Sequence, residues 1–216
     1  MRKLALLGVW VMLAAMAGLA GAAELKEGVN YTVFRPPQPT EANGKIEVTE
    51  FFWYGCSHCF HLEPALERWV PKLPKDVVFR RVPAVFPGRN GGPGPWAPAA
   101  KVYYTLEIMG LSGKFQQKVF NAVQLERRRL ISDDPELFDW VAKQGIDAQK
   151  FKAIYNSFAV HSKVRRSMEL CTAYGFDGVP ALIVDGRYMA VNTDNADETL
   201  GVVDQLIAMA RKAERK

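Results

Sequence analysis

Cys56-Ser57-His58-Cys59 places two sulfurs three residues apart, where a strand-like run from Ile46 to Tyr54 gives way to helical periodicity. A cysteine at a helix start faces unpaired backbone N–H groups and the positive end of the helix dipole, both of which favour thiolate over thiol. A second cysteine three positions on shares its helix face and lies within reach of a disulfide. The motif therefore reads as a redox-active dithiol. His58 adds backbone or imidazole donors beside the first sulfur, and its charge, when held, strengthens the effect. A stabilised thiolate makes the disulfide form the better oxidant. Each pKa unit below ambient pH is worth about 1.4 kcal/mol, or roughly 30 mV for a two-electron couple.

The same residues admit other chemistry. Zinc or copper binding by Cys56, Cys59 and His61 is an alternative, but the sequence offers no clear fourth ligand. A c-type haem site fails because Phe60, not histidine, follows Cys59. A peptide-binding chaperone using the aromatic surface near Trp53 and Phe60 is an alternative from another class. Cys171, in a helical stretch with apolar neighbours, is expected to be a small buried hydrophobe. His61 and His161 have no mechanism that needs them, and Arg127-Arg128-Arg129 is expected on a solvated face.

Glu50 is the less obvious candidate, since alternation puts it on the strand face of Ile46, Val48 and Phe52. A carboxylate on an apolar face is costly unless neutral or paired. Either it is a buried proton shuttle for Cys59, whose thiol must lose a proton on attacking a mixed disulfide, or it is a structural acid.

Positioning these residues requires a strand before the motif and a helix after it. Ile46 to Tyr54 is β-branched and aromatic enough for a buried central strand. Cys56 to about Val70 is helical, with Pro64 inside it expected to cause a kink. Tyr31 to Phe34 and Val77 to Val82 are further strands, and the Gly/Pro-rich stretch Pro87 to Pro98 is a connecting segment that marks a domain junction. From Trp96 to Tyr174 the signals are helical, with starts at Ala99, Gly113, Ser132-Asp133-Asp134-Pro135 and Asp147. Strands return at Ala181 to Val184 and Arg187 to Val191 around the tight turn Asp185-Gly186, and Asp194 to Ala213 is an amphipathic helix. Pro180, at the first position of a strand, cannot donate to the ladder, and the backbone before it is available to an extended substrate segment.

Of 216 residues, 49% are hydrophobic and 24% charged, enough for a compact core in one or two domains. Arg2-Lys3, the apolar run Leu4 to Leu19 and the small residues Ala20 to Ala23 fit a secretory signal peptide over 1–23, cut near Ala22 or Ala23. A membrane anchor is the alternative, since the run is close to the length needed to span a bilayer. Loss of Arg2 and Lys3 takes 28 basic residues to 26 and the net charge from +5 to +3, too mild for nucleic-acid binding. Three cysteines are too few for a disulfide scaffold, so in an oxidising compartment, expected to be the bacterial periplasm, the pair is catalytic or metal-binding.

Glu50-Phe51-Phe52-Trp53-Tyr54-Gly55-Cys56-Ser57-His58-Cys59, a helical block and Gly178-Val179-Pro180 ahead of a strand resemble the DsbA family of periplasmic thiol oxidases. The resemblance covers essentially the whole mature chain. It implies an α/β, thioredoxin-like fold with an inserted all-helical domain, divided as 24–89 with 170–216 for the first part and 90–169 for the insertion. It also implies a thiol:disulfide oxidase with no cofactor beyond the Cys56–Cys59 disulfide. Its clients would be newly exported proteins, and a membrane quinone reductase of the DsbB type would reoxidise it. By the same resemblance Cys56 is the exposed nucleophile, Cys59 the buried resolving thiol, and Ser57-His58 the tuning dipeptide. Pro180 is the cis-proline opposite the disulfide, and Val179 the residue whose backbone meets the bound peptide. The resemblance also points to Glu50 as the shuttle. The family's usual dipeptide is Pro-His, so Ser57 is a departure. An isomerase or reductase on the same fold is the nearest alternative. The segment Glu24 to Lys45 is too short for the separate dimerisation domain of the dimeric isomerases, so a monomer is expected.

Overall fold

A computed structural model describes residues 24–213, and the signal peptide expected over 1–23 lies outside them. β-Branched and aromatic residues dominate the strands, as a half-buried or buried pleated surface favours. In chain order the elements are β1 (Tyr31–Val33), β2 (Ile46–Phe52), α1 (Ser57–Trp69), β3 (Val77–Pro83) and the helices α2 (Ala97–Ile108), α3 (Ser112–Gln124), α4 (Asp134–Lys143), α5 (Ala148–Tyr155) and α6 (Phe158–Tyr174). Then follow β4 (Ala181–Val184), β5 (Tyr188–Ala190) and α7 (Ala196–Ala213).

The strands form one sheet in the order β1-β5-β4-β2-β3. β2 runs parallel to β3, with Glu50 in register with Arg81, and antiparallel to β4, with Glu50 opposite Leu182. Flanked on both sides, β2 is buried along its whole length. Alternation divides its side chains between two cores. Ile46 and Val48 pack with Leu62 and Leu66 of α1 and Val203 and Leu206 of α7, while Phe51 packs with Leu170, Cys171 and Tyr174 of α6. The sheet is thus covered on both faces, which buries β2 on both sides. At the C-terminal end of β2, Phe52, Tyr54 and Cys59 join the core of the helical block, where Phe115 and Phe120 of α3 meet Leu137 and Phe151. This is a thioredoxin fold with a helical insertion between β3 and β4.

The departures from sequence expectation are local. The expected long helix from Asp147 is two helices, because Ser157 accepts the backbone N–H of Val160 as an N-cap and starts α6 afresh. α6 then passes without a break through 169 and 170, where the sequence suggested the insertion ends. Its C-terminal turns lie on the sheet, and it stops at Gly175 in the left-handed region, φ 64°. Asp185 and Gly186 both take positive φ, as the tight hairpin turn between β4 and β5 requires.

Candidate active site

Cys56 is the N-cap of α1. Its backbone is extended and its sulfur accepts the N–H of Cys59 at 3.3 Å, while its own N–H is held by the Trp53 carbonyl at 2.9 Å. The sulfur is half-buried and its pKa is lowered to about 6. The Cys59 thiol beside it contributes most, followed by the backbone N–H groups of Cys59 and His58 and the His58 charge, all acting against partial burial. Cys59 is fully buried, and its thiol is pushed far upward, first by burial, then by donating to Cys56 and by the charges of Cys56 and Glu50. The two sulfurs of one motif are therefore opposite in character. One ionises near neutral pH and the other resists ionisation.

Ser57 and His58 are exposed in the first turn of α1, and the Ser57 N–H is not among the donors that lower the Cys56 pKa. Opposite the sulfurs lies the turn before β4. The Val179–Pro180 peptide is cis, and the Val179 carbonyl faces the Cys56 sulfur at 3.3 Å. Asn192, just after β5, donates its side-chain N–H to the Pro180 carbonyl at 2.6 Å and ties this turn to the sheet. Between the turn and the helix start is a groove of about 490 Å³ lined by His58, His61, Leu62, Val179, Pro180 and Asn192, among others. His61 thus lines the groove, a placement the sequence did not suggest. Cys171 is buried against Phe51 and Val82, its thiol pushed up to about 11 by burial, and His161 is exposed on α6. Among the described residues no group of three or more histidine, cysteine or acidic side chains is placed to hold a metal ion.

Behind the sulfurs lies a buried charge cluster. Glu50 has no exposed surface, and the Arg81 guanidinium, one strand over in register, donates from Nε to its Oε2 at 3.1 Å. Arg81 also donates from Nη2 to Oε1 of Glu63 at 2.6 Å. Burial raises the pKa of Glu50 to about 8, Arg81 lowers it in part, and Glu63 raises it further. Glu63 is likewise raised by burial against the pull of Arg81. Glu50 is near enough to Cys59 for its charge to raise the thiol pKa, and a carboxyl raised to about 8 is suited to acid–base work. Sequence reasoning found Glu50 and missed Glu63 and Arg81. The available signal for Glu63 was its place four residues after Cys59, on the same buried helix face.

The aromatic frame of the motif is also visible only in three dimensions. Trp53 stacks on Trp96, just before α2, with ring centroids 4.4 Å apart and planes 2° from parallel. The indole lies against the backbone of Gly55, where a Cβ would overlap the ring.

The chain is similar to known proteins in both sequence and fold. Residues 47–203 match the DSBA-like thioredoxin domain. A thiol:disulfide interchange protein DsbA of Pseudomonas aeruginosa is 36% identical, with both chains covered in full. One from Bordetella parapertussis is 39% identical over 93% of each chain. Among solved structures, P. aeruginosa DsbA superposes with a TM-score of 0.81 at 37% identity over 89% of this chain and 97% of that one. The oxidoreductase DsbA of Xylella fastidiosa gives 0.77 at 29% identity over 87% and 98%.

Proposed function

The chain belongs to the DSBA-like thioredoxin family and is a thiol:disulfide oxidoreductase, and on that premise we propose that it works as an oxidase, donating its Cys56–Cys59 disulfide to newly exported proteins. The observation that carries this reading is the position of the Cys56 sulfur, capping α1 with its pKa lowered to about 6 while Cys59 is buried. Reduction releases an anion that the helix start already stabilises, so the dithiol form is favoured and the disulfide is readily given away.

In the forward reaction a client thiolate attacks the Cys56 sulfur. The disulfide breaks, its electron pair goes to the Cys59 sulfur, and that sulfur takes a proton from the Glu50 carboxyl. A second client thiolate then attacks the client sulfur of the mixed disulfide and expels Cys56 as thiolate. The client leaves oxidised and the protein as dithiol. Reoxidation reverses the proton step, with Glu50 receiving the Cys59 proton as that sulfur attacks. Val179 presents backbone to an extended client segment in the groove, and Pro180 sets that segment opposite the sulfurs. Of the Ser57-His58 dipeptide, His58 tunes the first sulfur through its backbone N–H and its charge. The disulfide is the only redox group required, and a membrane quinone reductase of the DsbB type would return electrons to the respiratory pool. The protein acts as a periplasmic monomer once residues 1–23 are removed, with 90–169 as the inserted domain.

Refolding assays test the assignment. The oxidised protein should restore activity to a reduced, unfolded client with several cysteines, and do far less for a client with scrambled disulfides. Cys56→Ser should abolish both activities. Catalysis of scrambled-client repair at an equal rate would make the protein an isomerase, and activity retained in Cys56→Ser would make it a chaperone.

A further inference from the structure

Glu50 and Glu63 share a single cation, Arg81, in a site where both carboxyls are essentially buried. Two carboxylates and one guanidinium would leave an excess negative charge in a dry interior, so the pair holds a proton over the neutral range. Which carboxyl holds it decides what faces Cys59.

The polar neighbours of the two carboxyls differ. Glu63 has the shorter bond to Arg81, 2.6 Å against 3.1 Å for Glu50. It also faces Gln116 of α3, a side chain 2% exposed that helps to lower its pKa. Gln116 Nε2 and Glu63 Oε2 are a donor and an acceptor that are both buried and have no other partner. The orientation of the amide is fixed. Tyr54, fully buried, donates its hydroxyl to Gln116 Oε1 at 2.8 Å, and burial keeps that phenol protonated. With the carbonyl end engaged, the NH2 end is left for Glu63. The reversed amide would set a carbonyl oxygen against a carboxylate. No amide acts on Glu50, whose Oε1 is likewise buried without a partner.

We propose that Gln116, a residue of the helical insertion, is a positioning residue that holds Glu63 as the carboxylate and so assigns the exchangeable proton to Glu50. The inference rests on the reading of Glu50 as the proton partner of Cys59. The charged and titratable groups acting on the pair come from every element packed around it. They are Arg81 from β3, Tyr54 and Cys56 from the motif loop, Cys59 and Glu67 from α1, and Tyr103 from α2. Gln116 is the member that orders the two carboxyls without titrating itself. In this arrangement the insertion contributes to the proton chemistry of the thioredoxin-like part.

The test is a site-resolved titration of the glutamate carboxyl carbons by NMR on the reduced mature chain, with Glu50→Gln and Glu63→Gln for assignment. In the wild type the upper step, near pH 8, should move the Glu50 resonance, with Glu63 following only at lower pH. In Gln116→Met, which keeps the volume and loses the amide, Glu63 should share the upper step and the Glu50 midpoint should fall. The pH profile of Cys59 alkylation should shift the same way. Tyr54→Phe, which frees the amide to turn, should give a smaller shift in the same direction and serves if the first variant does not fold. Midpoints unmoved in the variants that fold, or Glu63 carrying the upper step in the wild type, would overturn the proposal. If the midpoints move as stated but Glu50→Gln leaves the Cys59 profile unchanged, the ordering by Gln116 stands and the proton-partner reading fails.

Discussion

Cys56 and Glu50 shift in opposite directions, and each sets a pH window of its own. Cys56, lowered from 9.0 to about 6, adds stability to the reduced fold that is fully present above pH 9 and lost as pH falls through 6. Glu50, raised from 4.5 to about 8, favours the fold below pH 4.5, and that contribution is lost as pH rises through 8. The oxidised form lacks the first window. The stability of the reduced protein relative to the oxidised one should therefore grow between pH 5 and pH 8 in parallel denaturant titrations. A difference independent of pH would mean that Cys56 is not ionised in the folded dithiol. His58→Ala should raise the Cys56 midpoint only part of the way back towards 9, as followed by thiolate absorbance. The first-turn N–H groups and the Cys59 thiol remain in that variant, and the His58 charge is the smallest of the named contributions.

At the scale of elements, the start of α1 and the β2–β3 pair determine what the site can do. Ser57 occupies the first turn of α1, where proline is tolerated because its missing N–H has no helical partner. Ser57→Pro should keep both amides that serve the Cys56 sulfur and stabilise the fold by about 0.4–1 kcal/mol through a stiffer unfolded chain. A rise in the Cys56 midpoint would show that the Ser57 N–H also contributes. Arg81 ties β3 to both β2 and α1 through the two buried carboxyls. Arg81→Met should cost about 3–5 kcal/mol at pH 8, and less near pH 5, where both carboxyls can be neutral. Gly55→Ala would push the Trp53 indole off Trp96 and should abolish the near-ultraviolet circular dichroism of the stacked pair.

The strand before the motif, the helix after it and the β4–β5 hairpin were legible in the sequence because their signals are local. Alternation, periodicity and the Asp185-Gly186 turn each lie within a few residues. Glu50 stood out for the same reason, as a charge on an otherwise apolar face. Glu63 and Arg81 did not, because their partnership exists only once β3 lies parallel to β2 with Arg81 in register with Glu50. The division of the helix expected from Asp147 was missed because a serine N-cap at 157 resembles any other polar helix residue until its side chain is seen to accept a backbone N–H.

Across the whole molecule, the sheet brings three distant stretches of chain to one point. β2 delivers the motif, the turn before β4 sets Val179 and Pro180 against it, and α3 of the insertion closes over Tyr54 and α1. The molecule leaves one sulfur half-buried near a groove and buries the other within the influence of a carboxyl whose pKa is raised to about 8. That asymmetry is what an oxidant needs, since the same fold must accept electrons easily and hold the resulting anion. The redox equilibrium of the Cys56–Cys59 pair against reduced and oxidised glutathione tests it most directly. The dithiol should persist at glutathione ratios oxidising enough to keep thioredoxin's cysteines as a disulfide, and the preference should strengthen as pH rises above the Cys56 midpoint near 6 relative to a couple whose thiols are still protonated. A disulfide that glutathione reduces no more readily than that of thioredoxin would contradict the account.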